Sequence, residues 1–527
     1  MKLKPFKRVP GWIALGVISL VCLVHLLKVD FFERLEHITY DMRVRQALHT
    51  PLPLATNLGF VFIDEESIRA VGSGALGYKF GLYWPRQVYG RVVRELADQG
   101  ANMVAFDVIF GELRADHPPV QLADGGLMDS DDFFAQQLFL SSNVIMAVTR
   151  EVMPPPLFLT NAIARGDIST DKDPDGILRR ARAFRTYRHW HPLFRQAEAD
   201  ADLGIDLRRV TIQPDRLVLH RTGVDDISIP LDAQGRFALA DFVGDSLPPG
   251  TAPTALPFTT ERIWHMGIVL AARELGLKLE DAEVDLAGGK ITLRGGGVQR
   301  AIPVDADGSF YLDWCLPPNH PQLTQEPIHA VLLQSRARAG GATNLGNLWR
   351  GKLAVVGSSA MGNDLTDRGA TPLRADTLLV SKHWNVANSV ITGRFVQRAG
   401  LALDLLIIAL LGAAAALLTW RFRALVASSL VLLLAAGYVL FGTILYLQTR
   451  FWIPLALPVL GSLFVTHVCL VTWRVIFEQT EKRRVRSIFS TIVSPKIVQE
   501  LLQSEKLALG GARRQITVMF ADVRGFT

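Results

Sequence analysis

Two segments of the chain hold residue types suited to act on a ligand or a substrate. The first, Gly357-Ser358-Ser359-Ala360-Met361-Gly362, follows the apolar run 352–356. Glycines after a strand let backbone amides approach an anion, while the carboxylates of Asp364 and Asp367 nearby suit a cationic ligand. A serine nucleophile elbow centred on Ser359 would need glycine at 361, where Met361 stands. The second segment ends the apolar run 516–520 in Asp522, three residues before Gly525. A carboxylate is a hard oxygen donor of the kind divalent cations take, but on residue type alone Asp522 is one acidic side chain at a strand end.

Other chemistry is thin. Cys22 and Cys469 lie in apolar runs and Cys315 stands alone in the polar middle, so no disulfide can form within that middle region. The 12 histidines are scattered and no Cys/His cluster has zinc spacing, which argues against a structural metal. Residues 173–176, 232–235 and 305–308 each run from Asp to Gly and read as turns. Trp84-Pro85-Arg86 reads as an exposed aromatic and cation at a helix start, with Pro85 near the first helical position.

The elements that position these residues come from 527 residues, enough for several domains and a sizeable core. Apolar residues are 49% and charged ones 20%, a balance that excludes a disordered chain. The apolar excess falls in four runs, 11–27, 401–420, 425–447 and 451–473, helices long enough to span a ~30 Å hydrocarbon core, the first just so and with interfacial help. No small-residue cleavage site follows the first run, so it reads as an uncleaved anchor. Asp404, near one end of the second run, reads as snorkelling or paired, and His467 in the fourth as structural; so few polar groups argue against a transporter.

Charge sets the orientation. Residues 1–8 carry +4, 404–473 carry +2 and 474–527 carry +5, which leaves −5 of the net +6 for residues 9–403. Basic flanks stay cytoplasmic, so both termini are inside and the acidic insert outside, with Arg421 and Arg423 in the inner hairpin; Arg450 is the exception. The basic balance is thus a topology signal, and no nucleic-acid patch is present.

Within the insert, runs 58–63, 103–108, 143–147 and 352–356 read as buried strands, and residues 86–99 as a helix presenting Val88, Val92, Val93 and Leu96 on one face. This predicts a βαβ unit in an α/β domain with a mixed sheet. A further helix is expected from a cap at Thr259 or Thr260 to Leu275, stopped by Gly276. Beyond residue 473, Val485, Ile488, Phe489, Ile492 and Val493 form one face of a basic amphipathic helix, and Ser494-Pro495 starts another. Residues 516–520 read as a buried strand.

Glu36, Tyr40-Asp41 and Arg43, then Ile63-Asp64, Trp84-Pro85-Arg86, Phe106-Asp107 with Phe110, Asp175-Gly176 with Arg179, Gly351-Lys352, Val356-Gly357 and Thr371-Pro372 run in the order of a CHASE type 2 extracellular sensor domain. The insert resembles that family over almost its whole length. It departs at Leu379-Val380-Ser381-Lys382-His383, where the family shows a glycine four residues earlier in a Gly-Val-x-x-His stretch. The resemblance implies a sensor and leaves the ligand open; Gly357, Ser358, Ser359, Asp364 and Asp367 are the candidate ligand loop.

Phe489, Val493-Ser494-Pro495, Gly510-Gly511, Arg513-Arg514 and Thr517 through Thr527 resemble the start of a class III nucleotide cyclase catalytic domain. That resemblance implies a membrane-bound adenylate cyclase converting ATP to cyclic AMP and pyrophosphate, with two Mg or Mn ions held by Asp522 and the Val523 carbonyl, and Gly525, Phe526 and Thr527 beside the phosphates. It also implies a homodimer in a plasma (inner) membrane, responding to an unknown extracytoplasmic ligand or protein. The expected architecture is a basic tail (1–10), spans at 11–27, 400–420, 425–447 and 451–473, an α/β sensor (28–399), a cytoplasmic helical linker (474–512) and the first strand of an α+β, ferredoxin-like domain (513–527). Residues 1–527 alone are expected to lack cyclase activity. The rival from another class is a non-enzymatic sensor that signals by helix pairing.

Overall fold

A computed structural model describes residues 9–51, 53–122, 125–221, 223–243, 252–361, 366–492, 515, 517–522 and 525. The chain divides into two units, Met1–Glu36 with Gly400–Phe441 and Pro454–Thr527, and His37–Ala399 with Gly442–Ile453. Helix α1 (Val9–Leu26) is apolar, and α2 (Asp30–Ala47) places Asp30 and Glu33 at the positive end of its dipole. Next come β1 (Leu58–Ile63), α3 (Glu65–Ser73), α4 (Arg86–Asp98), β2 (Met103–Phe106), α5 (Ser130–Ser141), β3 (Val144–Val148) and β4 (Ala164–Asp167). They are followed by β5 (Arg180–Arg182), β6 (Phe184–Trp190), β7 (Phe258–Trp264), α6 (Met266–Leu275), β8 (Ser309–Tyr311), β9 (Thr324–Pro327), α7 (Ile328–Ala339), β10 (Leu353–Ser358) and α8 (Ser381–Thr392).

All four expected strands form. They lie in a six-stranded sheet of order β9-β1-β10-β2-β3-β4 in which every pairing is parallel, so the expected mixed sheet is corrected. The reason is burial on both faces: consecutive strand residues feed two different cores. Phe60, Ala105, Ile145 and Val355 pack with α6 and α8, while Val61, Val104, Val144 and Val356 pack with α4, α5 and α7. Fully burying each such side chain contributes about 1.5–3 kcal/mol. The β1-α4-β2 crossover is present as expected, but its two strands are not neighbours, because β10 lies between them.

The helix expected from Thr259 begins only at Met266. Thr259 and Thr260 belong to β7, paired antiparallel with β6, where β-branched side chains fit better than in a helix. His265 caps α6 by accepting the Gly267 N–H at Nδ1, and Gly276 ends the helix at φ 65°, as the sequence predicts. Gly267 is where α6 meets α8: a Cβ there would run into the His383 carbonyl and lie 2.8 Å from Val386 Cβ. Gly267→Ala is therefore expected to push the two helices apart at a cost of about 1–3 kcal/mol, read as a lower melting temperature of the purified protein. A melting curve unchanged by this substitution would disprove the close approach.

Trp84 is buried, not exposed, packed with Tyr89, and the Arg86 guanidinium sits 4.9 Å from the Phe110 ring centre. Residues 84–86 thus close the core over α4, which Pro85 caps. The three Asp-to-Gly stretches are turns, with Gly176, Gly235 and Gly308 at φ 72–80°.

The first unit contains α1, α9 (Leu401–Arg421) and, after α10 (Ala424–Thr449), a π-helical stretch, Leu457–Val465, that runs into α11 (Thr466–Ile492). Four helices are long and apolar enough to cross a membrane: Val9–Leu26, Leu401–Arg421, Ala424–Thr449 and Leu457–Phe477. The fourth starts six residues later than expected. Phe451 and Trp452 pair instead with Gln397 and Arg398, and Arg450, buried at φ 61°, donates from Nε to Asp313 Oδ1 at 2.8 Å. Asp404 pairs with His25 Nε2 at 3.2 Å, and both ring nitrogens of His467 are bonded, to Thr419 and Ser428, as a structural histidine requires. Thr517–Asp522 form no strand, and Val518, Met519 and Phe520 are exposed, which corrects the buried strand expected there; a strand is buried only when a ladder and a covering layer take it up.

Candidate functional site

The parallel sheet aims the ends of β1, β2, β3, β4 and β10 at one edge. From β1 the chain runs outward through β2, β3 and β4, then returns to β9 at the opposite side before β10 fills the middle. In open parallel sheets the crevice outside the carboxyl ends at such a reversal is where ligands bind. A cleft of about 740 Å³ lies there, lined by Asp107 after β2, Thr149 after β3, Ser169 and Thr170 after β4, Ser358 at the end of β10, and Asp367 and Lys382. Ile63, Tyr89, Ile109 and Val380 supply apolar wall.

The polar groups are positioned by local structure. Asp64, just past β1, caps α3 through the Ser67 N–H at 2.8 Å. Lys382, one residue into α8 and 3% exposed, donates to the Ile168 carbonyl at 2.7 Å and Thr170 Oγ1 at 2.6 Å. Next to it His383, fully buried, brings Nε2 to 3.3 Å from Asp107 Oδ1, and its ring lies 5.2 Å from that of His265. Asp167 closes the far side by accepting from Tyr187 and Arg185.

Burial controls the charges. It drives His265 well below the ordinary histidine value, helped by His383, Lys382 and Arg185, and also lowers His383 against the pull of Asp107. Both rings are therefore neutral at pH 7. Burial also lowers Lys382, opposed by Asp107, Asp367 and Asp167. For Asp107 burial works to raise the carboxyl, but His383 and Lys382 outweigh it and the net shift is downward. The cleft floor thus carries Asp107 as an anion with Lys382 as its standing cation.

Of the residues singled out in the sequence, Ser358 and Asp367 line the cleft. The Ser358 hydroxyl shares a 2.6 Å hydrogen bond with Thr366, and Ser359 donates to the Ile63 carbonyl. Gly357 admits Val380 and Asp107 against β10, where a Cβ would lie 2.9 Å from Val380 Cγ2. Asp364, Val523, Phe526 and Thr527 lie outside the described residues. Asp522 is exposed, and among the described residues it joins no group of three or more side chains able to hold a metal. A two-ion site needs more carboxylates than Asp522 supplies.

The family model for the CHASE2 domain matches residues 16–419, from within α1 to within α9. The chain belongs to the CHASE2 family. CHASE2 is an extracellular sensor domain common in signalling proteins. No curated protein and no solved structure matches the chain. The CHASE2 domain here includes every residue of the cleft. Sequence reasoning missed Lys382, which lines the cleft, and His265, which packs behind it on His383: a lysine on a helix reads as solvated, and His265 follows a strand whose threonines looked like helix caps. The one available signal was the departure at 379–383, the segment that brings Lys382 and His383 to the sheet edge.

Proposed function

We propose that the chain is a membrane-anchored receptor in which a ligand held in the CHASE2 cleft controls a cytoplasmic class III adenylate cyclase, forming cyclic AMP and pyrophosphate from ATP. The sensing half is supported by one observation, a cleft of about 740 Å³ at the carboxyl edge of a parallel sheet with an ionised aspartate on its floor. The catalytic half rests on the run from Thr517 to Thr527. In this reading both termini are cytoplasmic, the protein is a homodimer, and Asp522 with the Val523 carbonyl contributes to binding of two Mg or Mn ions. Those ions would offset phosphate charge. A ligand shifts output only by its differential affinity for the active and inactive arrangements.

Membranes from cells expressing the gene's natural product are expected to form cyclic AMP from ATP with Mg or Mn, and Asp522→Ala to lower the rate by at least about a hundredfold, the scale of losing a metal ligand. Equal rates for parent and Asp522→Ala would end the cyclase reading while leaving the sensor in place.

A further inference from the structure

We propose that the cleft binds a small organic cation bearing a primary ammonium group, with Asp107 and Asp367 as its acceptors; this rests on the sensor reading and names its ligand class. Among the described lining residues, two carboxylates face a single cationic donor, Lys382. Lys382 already spends two of its three N–H bonds on Ile168 and Thr170, and the Ser358 and Thr366 hydroxyls bond each other. Against these stand the carboxylates of Asp367, for which no side-chain hydrogen bond forms among the described residues, and of Asp107, whose one close side-chain neighbour is His383 Nε2 at 3.3 Å from Oδ1. The fully buried His383 faces Asp107 without completing one, and neither of its ring nitrogens has a hydrogen-bond partner.

Two carboxylates and one ammonium give the lining a formal charge of −1, so an anionic ligand would meet net repulsion and an ammonium would complete the set. A bare divalent ion fits less well, because among the described residues no three His, Cys, Asp or Glu side chains are placed to hold a metal ion. Tyr89, Ile109 and Val380 offer apolar surface for the ligand's carbon chain.

The test uses the full chain purified in detergent, with 1,4-diaminobutane, butane-1,4-diol and succinate as probes, read by calorimetry and by melting temperature. The diamine is expected to bind and raise the melting temperature, the diol and succinate to do neither. Asp107→Asn and Asp367→Asn should each weaken the diamine at least tenfold. The second variant guards against misfolding at Asp107, since Asp367 is exposed and makes no side-chain hydrogen bond among the described residues. Succinate binding that is abolished by Lys382→Met would overturn the cation proposal and leave the sensor reading standing. So would diamine binding unchanged in both Asn variants. Absence of binding by all three probes at millimolar concentration overturns the cation proposal and leaves the sensor reading standing.

Discussion

Arg179→Ala is expected to cost the CHASE2 unit about 3–5 kcal/mol, the penalty of leaving buried charges without their partner. Arg179 is 1% exposed, and each of its five N–H groups has a carboxylate acceptor. Nε and Nη2 form a bidentate pair with Asp41 on α2, both at 2.8 Å; Nη1 donates to Asp173 and Asp175, and Nη2 also to Asp175. Burial works to lower the guanidinium, but the bonds from Asp41 and Asp175 outweigh it and raise it. Removing it leaves Asp41 buried without its bidentate partner and Asp173 with Arg180 alone. Lysine is a poor replacement, because an ammonium offers three donors from one point and cannot serve three carboxylates in a plane. Asp175→Asn, at the most exposed of the three carboxylates, should cost under about 1 kcal/mol. Urea unfolding of the purified protein followed by tryptophan fluorescence separates these cases. An Arg179→Ala protein within about 0.5 kcal/mol of the parent would show that the cluster holds nothing together.

The second large effect is on acid stability. His265 and His383 are neutral in the fold and lie below their ordinary value of 6.5, so in this window the unfolded chain binds more protons than the folded one. Stability then falls as pH drops through 6.5 and keeps falling until the folded values are reached. The slope is up to about 1.4 kcal/mol per pH unit for each ring, or roughly twice that while both contribute. Asp107, also lowered, contributes with the same sign, but only as pH falls toward and below the ordinary carboxylate value of 3.8. His117 and His320 are half-buried and add weaker terms of the same sign. His265→Asn keeps a side chain able to accept the Gly267 N–H yet does not titrate, so it should remove about half of the slope between pH 6.5 and 5.5. A parent melting temperature that stays level across that interval would refute the buried neutral pair.

Much of the CHASE2 fold was legible in the sequence because burial writes it there. The Val- and Ile-rich runs at 58–63, 103–106, 144–148 and 353–358 are the strands, and the 86–98 helix shows its apolar face. What the local pattern does not carry is order: nothing near Leu353 says that this strand inserts between β1 and β2. Thr259 and Thr260 satisfy a helix-cap rule and a strand preference equally, and only pairing with His189 and Arg188 on β6 decides between them. Arg450 broke the charge rule because its charge is spent on Asp313 inside the fold. The candidate site was half legible: Ser358 and Asp367 were picked out by a glycine-containing loop after a strand, whereas Lys382 reaches the cleft through the packing of α8.

The late arrival of the middle strand also bears on how the protein is made. Until residue 358 has emerged, β1 and β2 each present an unpaired edge of apolar residues, with nearly 250 residues of intervening chain still to appear before the gap between them closes. Pairings so distant in sequence form slowly, because loop closure must precede any gain from contact. A nascent chain halted anywhere short of β10 would carry two part-sheets at most, each with a sticky edge where β10 belongs. Biogenesis of this CHASE2 protein should therefore depend on a holding chaperone on the side of the membrane where the domain folds, and on uninterrupted synthesis through the whole domain.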